Sequence, residues 1–187
     1  DGDFYDMKGV VEEFFDKIGM VKKKEYDPKA GKNFLHPGRQ ALIRYEGEEI
    51  GYLGEVHPQV TDNYGIGTRV YVAVMDIQQV VKFATYDRKY EGIARFPAVN
   101  RDISMVVPKN IMVGEIEKMI AQRGGKILEH YELFDIYEGD QIQEGCKSVA
   151  YSITFRSKEK TLSEAEVTSA MKKILNGLES MGIQLRQ

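Results

Sequence analysis

Nine residues late in the chain alternate without a break: Ser148-Val149-Ala150-Tyr151-Ser152-Ile153-Thr154-Phe155-Arg156. Successive side chains of a strand point to opposite faces, so Val149, Tyr151, Ile153 and Phe155 share one side. Ala150, Ser152, Thr154 and Arg156 share the other. A strand with one apolar side and one polar side needs a cover for the first and leaves the second bare. That requirement organises the second half of the chain.

The neighbouring segments supply the cover. Arg95-Phe96-Pro97 approaches as extended chain, because the residue before a proline is pushed out of the helical region. From Asp102 onward, Ile103, Met105 and Val107 point inward and Asp102 and Ser104 outward. Val113 to Arg123 reads as a helix with Val113, Ile116, Met119 and Ile120 on one face, ended by Gly124-Gly125. Leu128 to Tyr137 reads as a strand, with Phe134 and Ile136 expected inward and Leu133, Asp135 and Tyr137 outward. It stops at Glu138-Gly139-Asp140, and a polar loop runs from Asp140 to Lys147. Ser163 and Glu166 form a capping box that opens a last helix with Val167, Ala170, Met171, Ile174 and Leu178 buried. A short strand around Ile183 to Leu185 closes the unit. The order strand, helix, strand, strand, helix, strand is the ferredoxin-like βαββαβ arrangement, with both helices on one face of the sheet.

The first half is a different unit. Asp3 to Gly19 reads as a helix with Val10, Val11, Phe14, Phe15 and Ile18 as its apolar stripe. The run Lys22-Lys23-Lys24 reads as a solvated turn. Ala41 to Tyr45 and Ile50 to Val56 read as a hairpin about Glu46-Gly47-Glu48-Glu49. Arg69 to Ile77 reads as a third strand and Gln78 to Thr85 as a short helix or turn. Tyr86 to Ala94, with Asp87, Arg88, Lys89, Glu91 and Gly92, reads as a linker, which sets domains at 1–92 and 93–187.

Several functions are disfavoured. No run of eighteen apolar residues occurs, and no secretory pattern opens the chain. Cys146 is alone, and His36-Pro37 and His57-Pro58 lack further ligands at metal spacing, so His-Pro reads as turn chemistry. An intracellular protein is expected, and a start at Asp1-Gly2-Asp3 without methionine suggests a piece of a longer one. Split at residue 93/94, the chain has 13 basic and 16 acidic residues before and 13 and 13 after. Neither part holds nucleic acid by charge alone. The open sheet face is small, polar and hydrogen-bonding, with Tyr137 and Arg156 available for stacking. Such faces read single-stranded RNA loops, and they also pair with proteins or bind small metabolites. A metabolite-sensing module with glycines at the ligand is the competing reading, although Gly124-Gly125 reads better as a helix stop.

Six stretches together carry a resemblance. They are Asp3-Phe4-Tyr5-Asp6-Met7-Lys8-Gly9, Leu35-His36-Pro37-Gly38-Arg39, Ile50-Gly51-Tyr52-Leu53-Gly54-Glu55-Val56-His57-Pro58, Arg95-Phe96-Pro97 with Arg101-Asp102, Glu132 to Gly139, and Ser148 to Arg156. In this order and spacing they resemble the end of the beta subunit of bacterial phenylalanyl-tRNA synthetase. The resemblance implies an α+β chain: a partial antiparallel class II synthetase-like core without catalytic residues, then a ferredoxin-fold anticodon-binding domain. It implies phenylalanine tRNA, through its anticodon stem-loop, and the alpha subunit of an alpha2 beta2 ligase as partners, a cytoplasmic location, and neither membrane nor DNA. ATP and magnesium belong to the whole enzyme, with no cofactor and no metal expected here. Gly51 and Gly54 lack the following arginine that a working class II site requires, so Arg39 and Arg44 read as structural or interface residues. On this reading the candidate tRNA contacts are Asp135, Tyr137, Ser152, Thr154 and Arg156, with Arg101 at the edge.

Overall fold

Asp3 starts the first helix. Its carboxylate accepts hydrogen bonds from the backbone N–H groups of Tyr5 (2.7 Å) and Asp6 (2.9 Å), and Asp6 accepts in return from the Asp3 N–H (2.7 Å). This reciprocal cap satisfies donors that have no partner inside α1 (Phe4–Lys17). The structure, a computed structural model, describes residues 2–87, 92–139 and 141–186. The chain divides into two units, Asp1–Glu91 and Gly92–Gln187. Arg88, Lys89 and Glu91 of the expected linker, and Asp140 of the expected loop, lie outside the described residues.

In the first unit α1 is followed by β1 (Lys24–Asp27), β2 (Leu35–Tyr45), β3 (Glu48–Val56), α2 (Pro58–Asn63), β4 (Tyr71–Met75) and α3 (Ile77–Phe83). The strands form an antiparallel sheet in the order β1-β2-β3-β4. The hairpin turn is shorter than expected. Only Glu46 and Gly47 leave the strands, with φ of 51° and 86°, and two left-handed residues in succession match the right-handed twist of the flanking strands. The lysine run is not all turn, because Lys24 already belongs to β1, which pairs with the end of β2.

Val11 and Phe15 of α1 and Val80 of α3 pack on Ile43, Tyr45, Ile50 and Leu53 of the sheet. The helix stripe is narrower than its composition predicts: Val10 is 67% exposed, and Phe14 is partly exposed. Gly51 lies between Ile43 and Met75 in the sheet. A methyl group there would stand 3.1 Å from Met75 Cα and closer to the Val74 carbonyl, so glycine is what lets β4 approach.

The second unit comprises β5 (Val99–Pro108), α4 (Val113–Gly124), β6 (Leu128–Tyr137), β7 (Cys146–Phe155), α5 (Glu164–Glu179) and β8 (Gln184–Leu185). The antiparallel sheet runs β6-β7-β5-β8, the ferredoxin-like order. Ile103, Met105, Val107, Val149, Tyr151, Ile153 and Phe155 form one apolar layer beneath Ile116 and Ile120 of α4 and Val167, Ile174 and Leu178 of α5. Each such buried side chain contributes roughly 1.5–3 kcal/mol. The alternation of Ser148 to Arg156 thus has the sense expected from the sequence.

The phase of β6 does not. Leu133 pairs with Tyr151 and packs against the core, whereas Phe134 is 57% exposed. A bulge between Leu133 and Asp135 inserts one extra residue and resets the alternation. Asp135 and Tyr137 therefore stay on the outer face opposite Ala150 and Ser148, and Leu133 turns inward. Ile136 lies opposite inward-facing Val149 but remains exposed near the end of the strand.

Candidate nucleic-acid interface

Register across three strands builds the uncovered face as a grid. His130, Thr154 and Asn100 lie side by side, followed by Glu132, Ser152 and Asp102. Next come Asp135, Ala150 and Ser104, then Tyr137, Ser148 and Val106. All twelve are out of phase with the residues beneath the helices. The central strand β7 supplies small side chains, so its neighbours close over it: Ser148 is buried, and Ser152 and Thr154 are half-buried. Ser104 Oγ and Ser148 Oγ are 3.5 Å apart, and Arg186 Nη1 approaches Ser148 Oγ at 3.5 Å. The taller groups at the sides are exposed, including Asp102, Glu132, Asp135 and Tyr137.

Four of the six expected contacts come together here: Asp135, Tyr137, Ser152 and Thr154. The two arginines are engaged elsewhere. Arg101 is in phase with Ile103 and Met105, hence on the helix side, where its Nη2 donates to both carboxylate oxygens of Glu164 at 2.7 Å. Arg156 follows Phe155 on the outer side, but its Nε donates to Glu129 (2.9 Å) and its Nη1 to the Phe96 carbonyl (2.8 Å). It fastens the approach to β5 rather than offering a free guanidinium. His130, Glu132 and Asn100 complete the face and escape a reading of one strand at a time. Only the cross-strand register places them beside Thr154 and Ser152.

Chemically the face is rich in acceptors. Asp102 and Glu132 flank Ser152, and Asp135 lies beside Ala150, so the face repels phosphate and suits amino and imino N–H donors of unpaired bases. The Tyr137 ring, 41% exposed, adds a surface for stacking. On the covered side, the Tyr151 hydroxyl finds no partner among the described residues, and burial pushes its pKa up.

The first unit shows a different chemistry. Glu55 is 3% exposed, and both its oxygens accept from Arg39 Nη1 at 2.9 Å, so this arginine is committed to a structural pair. His36 Nδ1 accepts from the Gly38 N–H (3.1 Å) and His57 Nδ1 from the Gln59 N–H (3.2 Å). His57 caps α2, whereas His36 and Pro37 lie within β2, where the register shifts between Leu35 and Gln40, and not in the expected turn. Among the described residues no three His, Cys, Asp or Glu side chains are grouped to hold a metal, and no helix is long and apolar enough to cross a membrane.

Residues 94–186, the unit with this open sheet, match the family described as Ferredoxin-fold anticodon binding domain. Residues 1–77 match the Phenylalanyl tRNA synthetase beta chain CLM domain. The chain belongs to the phenylalanyl-tRNA synthetase beta chain family. It is 41% identical over 185 residues to the phenylalanine-tRNA ligase beta subunit of Clostridium acetobutylicum, covering 98% of this chain and 23% of that protein. It is 39% identical over 177 residues to the same subunit of Bacillus subtilis, covering 95% of this chain and 22% of that protein. The chain thus spans about a quarter of the length of the curated relatives it matches. A solved structure, of Arabidopsis thaliana MSL1 A320V, aligns over 97% of this chain and 59% of that one at 8% identity and a TM-score of 0.33, too weak to bear on the fold.

Proposed function

We propose that the chain is a C-terminal portion of a phenylalanine-tRNA ligase beta subunit and that its second unit holds the anticodon stem-loop of phenylalanine tRNA. The observation that carries this reading is the contiguous outer face on which Asp135, Tyr137, Ser152 and Thr154 meet. Its work is positioning. Tyr137 stacks on an unpaired base while the carboxylates and hydroxyls accept from and donate to base edges. Amino-acid activation and transfer take place on the alpha subunit, in a cytoplasmic alpha2 beta2 ligase. Residues 1–92 act as a non-catalytic class II synthetase-like core that packs against that subunit, and residues 93–187 as the anticodon-binding domain. ATP and magnesium serve the whole enzyme. In the first unit Arg39 is tied to Glu55 and so is not free for a nucleotide phosphate, and among the described residues no three His, Cys, Asp or Glu side chains are grouped to hold a metal.

The test separates binding from chemistry. In the assembled ligase, Tyr137→Ala combined with Asp135→Asn should weaken tRNA binding by about tenfold or more while phenylalanyl-adenylate formation without tRNA stays intact. Unchanged tRNA affinity would remove the outer face from the interface.

A further inference from the structure

Tyr137 ends β6 and lies opposite Ser148 on the outer face. Its ring turns towards Gly139. A methyl group built at Gly139 would stand 2.6 Å from Tyr137 Cζ and 3.1 Å from Cε1, and closer still to the hydroxyl oxygen. Carbon atoms in contact need about 3.5 Å or more, so ring and methyl cannot both occupy their places.

The backbone at this point has little room to give. The Gly139 carbonyl accepts from the Ile142 N–H at 2.9 Å, and the preceding Glu138 carboxylate pairs with Lys109 Nζ at 2.7 Å. Gly139 is not among the glycines with positive φ, so an alanine there suits the main chain without strain. What an alanine displaces is the far end of the Tyr137 side chain. The glycine is thus required by the ring and not by the turn.

We propose that Gly139 is a positioning residue for RNA binding: its bare backbone is the seat on which the Tyr137 ring is held ready to stack on an unpaired anticodon-loop base. The inference rests on the anticodon-binding reading above. An exposed tyrosine that rotates freely loses conformational freedom when a base stacks on it, and a ring already seated loses less.

The experiment measures the affinity of the assembled ligase for phenylalanine tRNA in four forms: unchanged, Tyr137→Ala, Gly139→Ala and the double variant. Tyr137→Ala should weaken binding about 5- to 150-fold, the range expected for one stacked base. Gly139→Ala should weaken it in the same direction with an unchanged melting temperature, and should shift the carbon resonances of a labelled Tyr137 ring before any RNA is added. In the Tyr137→Ala background Gly139→Ala should change nothing further, because the ring it displaces is gone. A Gly139→Ala enzyme with normal affinity or an unmoved Tyr137 resonance overturns the proposal, as does an equal loss in both backgrounds. Normal affinity in Tyr137→Ala overturns the anticodon-face reading itself and the role of Gly139 with it.

Discussion

Arg156 shows how one residue changes meaning between a strand pattern and a packed structure. It is in phase with Ser152 and Thr154, so alternation alone makes it a candidate for a base or a phosphate. Its guanidinium instead joins Glu129 on β6 to the main chain at Phe96, three residues before β5 begins. Arg156→Ala should therefore lower stability by about 1 kcal/mol, as expected for a partly exposed charged hydrogen-bond pair. Denaturant unfolding would register that loss, while tRNA affinity should stay within twofold of the parent. A large affinity loss at unchanged stability would return Arg156 to the binding face. Arg101 lies on the other side of the sheet, where Glu164 at the start of α5 receives it. Glu164 is acidic in the first turn of that helix, where negative charge is favoured, so the pair serves the fold.

At the scale of the element, the starts of α1 and α5 were legible and the phase of β6 was not. Asp3 with Asp6 and Ser163 with Glu166 place α1 and α5 through local chemistry, and the capping box at Ser163 follows directly from residue spacing. Glu166 accepts from Lys160 and from the Ser163 hydroxyl and backbone N–H, and these bonds lower its pKa from 4.5 to about 2. Because the folded value is the lower one, the contribution is complete above about pH 4.5 and is lost as pH falls towards 2. The melting temperature should therefore drop more steeply between pH 5 and pH 2.5 in the parent than in Glu166→Gln, which calorimetry across that range would measure. The bulge in β6 is the opposite case. Nothing in Leu133-Phe134-Asp135-Ile136 announces an extra residue, and the apolar Phe134 and Ile136 mimic a regular inward pair. The bulge exists because β6 must keep register with β7 at both ends, a constraint that only pairing imposes.

For the whole molecule, charge constrains the RNA contact proposed above. The chain carries a net charge of -3, and the outer face of the second unit presents carboxylates, so the face is not built to neutralise phosphate. Tyr137→Ala or Ser152→Ala should lower tRNA affinity by the same factor at 50 and 200 mM salt, leaving the slope of log K against log salt unchanged. Loss of a phosphate contact would instead reduce that slope by about one. A change of slope in titrations at several salt concentrations would show that these residues meet the backbone and not the bases. By itself the sequence determined the order of elements in the second unit, its apolar layer and the side of β7 that carries Ser152 and Thr154, because period and capping are properties of neighbouring residues, whereas β1 and α2 of the first unit carry too little of either to be read. Only the tertiary structure decided that Leu133 turns in, that Arg101 and Arg156 are bound within the fold, and that Glu132 and His130 stand beside Ser152 and Thr154. Those outcomes depend on pairing between segments distant in the chain, and no local pattern names the partner.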